Sequence, residues 1–248
     1  MRYLRFHFPG VNNIQCMFGT RLGGSSSGQF SSGNISFEVG DEETAVLNNR
    51  LSMKDELGFE RLVELRQVHG TDMHFDPQGD YFHGSGIEGD GAGVSGPRTA
   101  VMIKTADCQP VFLVHKSGRY VCALHVGWRG NRVDFPGRGV KLFCEHYALS
   151  PGELQAVRGP SLGPCCARFH VFEEHWSREF FGYYLAAEKT MDLWAMTRDQ
   201  LHLAGIPRNS IHSMDMCTRC RGDLFFSYRR EKICGRQANF IFIKGAGM

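Results

Sequence analysis

Between Ala100 and Val126 the chain carries three strand-sized apolar runs in close succession, Ala100 to Thr105, Val111 to His115 and Tyr120 to Val126, and these constrain its fold most. Turn residues such as Ser117-Gly118 separate the last two, which predicts a hairpin. No run approaches the ~18 consecutive apolar residues of a membrane helix. Leu154 to Val157, Ile211 to Met216 and Asn239 to Ile243 read as further strands.

Helices are predicted around these strands. From Glu42 to Leu57, Val46, Leu47, Arg50, Leu51 and Lys54 keep helical spacing, and Gly58 fits a C-terminal stop. Asp134 and Pro136 open a second helix with Val140, Phe143 and Tyr147 at helical spacing. Val171 to Phe181 also reads as helical, and Asp192 to Ala204 is closed by Gly205 and followed by Pro207. The polar stretches Gly23 to Gly28 and Ser31 to Gly33 read as ordered loops near a functional surface. In 248 residues no repeat, charge block or long linker divides the chain, so a single mixed α+β domain is expected over residues 1–248.

Composition narrows the partners. With 42% hydrophobic and 22% charged residues the chain can bury a sizeable core. A net charge of +2, spread along the sequence, implies no field that selects nucleic acid or an anionic membrane, so small molecules are the expected partners. The N-terminus lacks the apolar h-region of a secretory signal, which points to the cytoplasm, and nine cysteines are then expected to be reduced thiols. Oligomeric state is not legible.

Gly91, Gly93 and Gly96 formally match the G-x-G-x-x-G of dinucleotide folds, but they lead into a strand rather than opening a helix, so that reading is rejected. Cys217-Thr218-Arg219-Cys220 is a lone C-x-x-C, weak evidence for zinc. Cys165-Cys166 is too rigidly adjacent to complete a tetrahedral set easily, and all four read as reduced, partly buried thiols.

His69 follows an apolar stretch, whereas Cys108 and His125 lie at the ends of buried-looking strands. Two imidazoles and a thiolate suit a borderline-soft divalent ion, and three protein ligands with an open fourth position is the pattern of catalytic zinc. The intervals of 39 and 17 residues match no compact ligand motif, so spacing alone leaves unrelated core residues as the stronger reading.

Longer blocks change that balance. Thr20-Arg21-Leu22-Gly23-Gly24-Ser25, Gly33-Asn34-Ile35-Ser36, Asn49-Arg50, Gln67-Val68-His69-Gly70, Thr105-Ala106-Asp107-Cys108-Gln109-Pro110, His125-Val126-Gly127-Trp128-Arg129-Gly130, Gly159-Pro160-Ser161-Leu162-Gly163-Pro164, Cys217-Thr218 and Phe226-Ser227-Tyr228-Arg229-Arg230 together resemble the YfiH family, also called laccase-domain or polyphenol-oxidase proteins and peptidoglycan editing factors. The resemblance implies one layered α+β domain, related to cysteine hydrolases, with mixed β-sheets flanked by helices. It implies zinc on His69, Cys108 and His125, acting as a purine nucleoside phosphorylase and adenosine deaminase. Val126 replaces the family's usual Ala, and Pro136-Gly137 interrupts the expected helix start.

Several chemistries then compete. Zinc lowers the pKa of bound water toward ~7, which suits attack at C6 of adenosine. Asp107 is a candidate acid/base group or ligand orienter, with turn capping the alternative. For phosphorolysis of adenosine, inosine or methylthioadenosine, Arg129, Arg50 and Arg229 are the available guanidiniums; Arg129 is favoured, and stacking on Trp128 is its alternative. Asn34 could bind a sugar hydroxyl or close an Asx turn. No His-x-His occurs, so a multicopper cluster cannot be built, although a single His2Cys site could take copper in vitro. In a third scheme Cys108 is a nucleophile activated by His125, hydrolysing an amide of a mis-built peptidoglycan precursor.

Overall fold

Alternate residues of the central strands face two different cores, and this explains why their apolar runs are continuous rather than alternating. The computed structural model describes residues 1–84 and 86–245; Ser85 of the glycine-rich stretch and residues 246–248 lie outside it. Its strands are β1 (Tyr3–Phe6), β2 (Ile14–Gly19), β3 (Arg61–Glu64), β4 (Met73–Phe75), β5 (Gly91–Val94), β6 (Thr99–Thr105), β7 (Gln109–His115), β8 (Val121–Val126), β9 (Leu154–Arg158), β10 (Tyr184–Leu185), β11 (Thr190–Met191), β12 (Ile211–Ser213) and β13 (Gln237–Ile243). The helices are α1 (Glu43–Leu57), α2 (Trp128–Arg132), α3 (Phe135–Tyr147), α4 (Leu193–Leu203) and α5 (Tyr228–Glu231).

Two mixed sheets dominate the described residues. One runs β1-β2-β13-β6-β3 and the other β12-β9-β7-β8-β5-β4. Val101 and Ile103 of β6 and Ile241 of β13 meet Phe112, Val114, Val121 and Ala123 of β7 and β8 in the core between the sheets. The intervening residues face outward: Ala100, Met102, Phe240 and Phe242 pack with Met53 and Leu57 of α1, whereas Val111, Leu113, Cys122 and Leu124 pack with Val140 and Phe143 of α3 and Leu201 of α4. The result is one layered α+β domain in the order helix, sheet, sheet, helices.

Helix boundaries follow their caps. Gly58 closes α1 at φ 71°, Asp134 accepts from the Gly137 N–H at the start of α3, and Asp192 accepts from the Ala195 N–H at the start of α4. Pro136 falls in the first turn of α3, where it removes no hydrogen bond, so it starts the helix rather than interrupting it.

One expectation fails. Val171 to Phe181 is not an α-helix; it holds 3-10 turns at Phe172–Glu174 and Arg178–Tyr183. The His175 carbonyl, which a helix would use internally, accepts from Arg132, and Phe172 and Trp176 pack into the aromatic cluster under the segment. The first forty residues contain β1 and β2, and the loop after them is held by Asn49, whose side chain accepts from Ser25 N and donates to Ser26, Ser32 and Asn34. No helix among the described residues is long and apolar enough to cross a membrane.

Candidate active site and metal centre

The chain passes from one sheet to the other through the short loop 106–108, and that crossing sets Cys108 at the mouth between the sheets. His125 lies on β8 in phase with Val121 and Ala123, so its ring points to the same inter-sheet space at the strand's end. His69 arrives from the loop after β3. At φ 60° it occupies the left-handed region, and the successive N–H groups of Val68, His69 and Gly70 turn onto the Asp90 carboxylate at 3.2, 3.0 and 2.6 Å.

The three side chains converge. One donor atom from each of His69, Cys108 and His125 lies within 4.8 Å of the others, Cys108 Sγ is 3.7 Å from His69 Nε2, and the imidazole centroids are 4.9 Å apart. His125 Nδ1 donates to Asp90 Oδ1 at 2.7 Å, which leaves Nε2 for the cluster. Space is reserved as well: a Cβ at Gly127 would lie 3.1 Å from both Cys108 Sγ and His69 Cδ2. A soft sulfur, two ring nitrogens, a carboxylate behind one ring and a gap kept open by glycine together fit a zinc-type ion.

Electrostatics bind the trio even without an ion. Burial pushes the Cys108 thiol up, but His125 and His69 outweigh it, and the thiol sits well below its ordinary value. Burial likewise lowers His125, yet the Cys108 and Asp90 charges with their hydrogen bonds hold its imidazolium above the usual range. For Asp90, burial is more than offset by His125 and the Gly70 and Val68 N–H groups, and its carboxyl is held down.

His69, Cys108 and His125 line a cleft of about 570 Å³. Trp128, Phe169 and Tyr228 line it with aromatic surface, and Lys104, Arg129, Arg229, Lys232 and Arg236 supply cations. Lys104 is neutralised by Glu38 at 2.8 Å and Glu64 at 2.6 Å, whereas the Arg129 guanidinium stacks 4.5 Å over the Trp128 ring within the cleft wall.

A sequence model of the family described as multi-copper polyphenol oxidoreductase laccase matches residues 15–244. The chain belongs to this laccase-domain family, whose members include YfiH and YlmD. It is 32% identical to purine nucleoside phosphorylase YlmD of Geobacillus stearothermophilus over 96% of this chain and 93% of that protein. Against purine nucleoside phosphorylase YfiH of Escherichia coli it is 29% identical, covering 95% and 96%. The crystal structure of the same YlmD superposes with a TM-score of 0.87 at 29% identity, over 99% of this chain and 97% of that one. In this laccase-domain chain, the one group of possible metal donors among the described residues that contains histidine is the mononuclear trio.

Not every residue in the family-like blocks reaches the cleft. Arg50 is fully buried and spends its guanidinium on Glu64, at 2.5 and 3.0 Å, and on the carbonyls of Ile35 and Phe82, so direct substrate contact by Arg50 is ruled out by its burial. Glu64 links it to the cleft by pairing with Lys104 as well. Asn34, also fully buried, accepts from the N–H groups of Ser36 and Arg236 and donates to the Ser36 carbonyl and Asp41: the Asx-type alternative, not a sugar contact. Both Asp107 carboxylate oxygens are engaged, by Thr218 Oγ1 at 2.7 Å and Arg229 N at 2.6 Å, at an unusual backbone φ of 133°. That bonding suits a positioning residue better than a proton shuttle. Arg229 lines the cleft with its Nη1 donating to the Arg168 carbonyl.

Sequence reasoning missed Asp90. The glycines around it drew attention to a nucleotide loop, yet Gly91–Val94 is strand β5, with Cβ positions at Gly91 and Gly93 blocked by Met73 and Phe75 side chains at 2.8 Å. A lone carboxylate between two glycines, directly ahead of an apolar strand, was the available signal.

Proposed function

We propose that the chain is a zinc-dependent purine nucleoside enzyme that splits adenosine, inosine or methylthioadenosine with phosphate and deaminates adenosine with water. The observation that carries this reading is the convergence of His69, Cys108 and His125 in a cleft lined by cations and aromatic rings. The names of YlmD and YfiH as purine nucleoside phosphorylases support it. Bound at the trio, zinc would supply Lewis acidity and a lowered pKa for water.

The chain's own residues account for the remainder. A cleft of about 570 Å³ accommodates a nucleoside with phosphate. Trp128, Phe169 and Tyr228 offer faces for the purine, and Arg129, Arg229 and Lys232 offer donors for a phosphate beside C1′. Asp90 holds the His125 ring in one tautomer, and Asp107 fixes the loop that presents Cys108. In phosphorolysis the C1′–N9 bond breaks, phosphate oxygen bonds to C1′, and the purine leaves with a proton; in deamination water adds at C6 and ammonia departs.

Protein purified without added metal, assayed for metal content and then given adenosine with and without phosphate, tests the proposal. Ribose 1-phosphate only with phosphate, and ammonia in either case, are expected; neither product from zinc-loaded protein would refute it. The depressed Cys108 thiol beside His125 favours one second reading, a Cys–His hydrolase. Activity that survives complete chelation but not alkylation of Cys108 would select that reading instead.

A further inference from the structure

We propose that Cys165, Cys166, Cys217 and Cys220 form a second metal site, a tetrathiolate zinc centre that fastens the wall of the cleft. It is independent of the nucleoside reading. The pair Cys165-Cys166 and the Cys217–Cys220 turn lie some fifty residues apart in sequence, yet all four sulfurs fall within 4.8 Å of one another. The Cys165 and Cys166 sulfurs are 3.6 and 3.4 Å from that of Cys220. A tetrahedron with Zn–S bonds of ~2.3 Å has S···S edges of about 3.8 Å, so shifts of an ångström or less would close this one.

Adjacency of Cys165 and Cys166 proves no obstacle because the backbone turns there. The N–H groups of Cys166 and Ala167 both donate to the Gly163 carbonyl, and this tight turn brings both thiols onto Cys220. Polar partners surround the sulfurs as they do around thiolate ligands: Gly163 N–H points to Cys217 Sγ at 3.3 Å, and Arg219 Nη1 to Cys166 Sγ at 3.6 Å. Four thiolates on a divalent ion carry a net charge of −2, which the Arg219 guanidinium partly offsets. Cys166 and Cys217 are buried while Cys165 and Cys220 are exposed, so an ion could enter from solvent.

The two cysteine loops already cooperate at the candidate active site. Ser161 and Cys217 form a parallel bridge; Leu162 N donates to the Asp107 carbonyl at 2.9 Å, and Thr218 Oγ1 to the Asp107 carboxylate at 2.7 Å. Locking the loops together would therefore hold Asp107, and with it Cys108, in place.

X-ray absorption of zinc in a His125→Ala variant, which lacks one donor of the cleft site, isolates this centre. The expected result is retained zinc with four sulfur neighbours at ~2.3 Å, lost in a Cys217→Ser/Cys220→Ser variant of the otherwise native chain. Should either variant fail to fold, organomercurial titration of the wild-type protein with a zinc-sensitive dye should release zinc in step with modification of these four cysteines. Free, metal-free thiols at the four positions, a disulfide joining Cys220 to Cys165 or Cys166, or iron in place of zinc would each overturn the assignment.

Discussion

Asp90 and His125 are joined twice: His125 N donates to the Asp90 carbonyl at 2.7 Å, and His125 Nδ1 donates to the Asp90 carboxylate at the same distance. The register of β5 against β8, with Gly91 opposite Leu124, produces both bonds. The same carboxylate gathers the loop that carries His69, so a single buried residue orients two of the three donors. Asp90→Asn keeps the shape but offers one acceptor in place of a charge. Zinc affinity at the His69–Cys108–His125 site, measured by competition with a chelator, is expected to fall roughly 10- to 100-fold. Wild-type affinity in that variant would remove Asp90 from the site.

Gly127 makes a separate prediction because its φ of −84° is open to any residue, so its role is spatial. Gly127→Ala would drive a methyl group against the Cys108 sulfur and the His69 ring. Turnover and zinc affinity at the His69–Cys108–His125 site should drop at least about tenfold, since misplacement of reacting groups is costly, while zinc at the four-cysteine centre should stay. Circular dichroism and melting temperature should stay near those of the parent. A fully active Gly127→Ala protein would show that the trio does not act as a unit.

Arg129 separates the two proposed activities. Its guanidinium lies over Trp128 at the cleft wall and is available to an anion. Loss of a charged hydrogen bond costs about 1.5–3 kcal/mol, so Arg129→Ala should raise the KM for phosphate roughly 10- to 100-fold. Ammonia release from adenosine, which needs no phosphate, should change far less. Equal loss of both activities would assign Arg129 a structural part.

For Arg50 the expected effect is on stability. Removing it leaves Glu64 buried and only partly compensated by Lys104. Breaking a buried pair from one side costs about 3–5 kcal/mol, so urea unfolding of Arg50→Ala should shift by that amount. A change within about 0.5 kcal/mol, as at an ordinary surface position, would contradict the burial argument.

What could be read from the chain and what could not divides along physical lines. The runs forming β6, β7 and β8 were legible because strands buried on both faces are apolar throughout, and α1, α3 and α4 carry caps that announce their ends. The family-like blocks pointed to His69, Cys108 and His125. Arg50 and Asn34 sit in equally family-like blocks, but residue type does not tell whether a polar group faces a ligand or satisfies the core. Asp90 becomes a partner of His125 only through strand pairing, and the four cysteines meet only through two loops distant in sequence. In each case the local pattern, an aspartate between glycines or a pair of cysteines, does not say which distant residue it will meet. The segment 171–181 misled because its apolar residues keep a helix-like interval while serving an aromatic cluster.

Cys108 itself provides the sharpest test of whether it is ligand or free nucleophile. His125 and His69 hold its thiol below the ordinary value, so in metal-free protein the thiolate persists as pH falls beneath the range where a common thiol is protonated. Iodoacetamide should therefore label Cys108 of the metal-free protein at neutral pH, with peptide mass spectrometry distinguishing it from exposed Cys165 and Cys220. Zinc and the reagent compete for the same thiolate, so reloading the metal should slow labelling at Cys108 by at least about tenfold. If zinc binds in a Cys217→Ser/Cys220→Ser background and labelling at Cys108 is unchanged, the sulfur is not a ligand, and the Cys–His hydrolase reading gains the residue that the zinc reading loses.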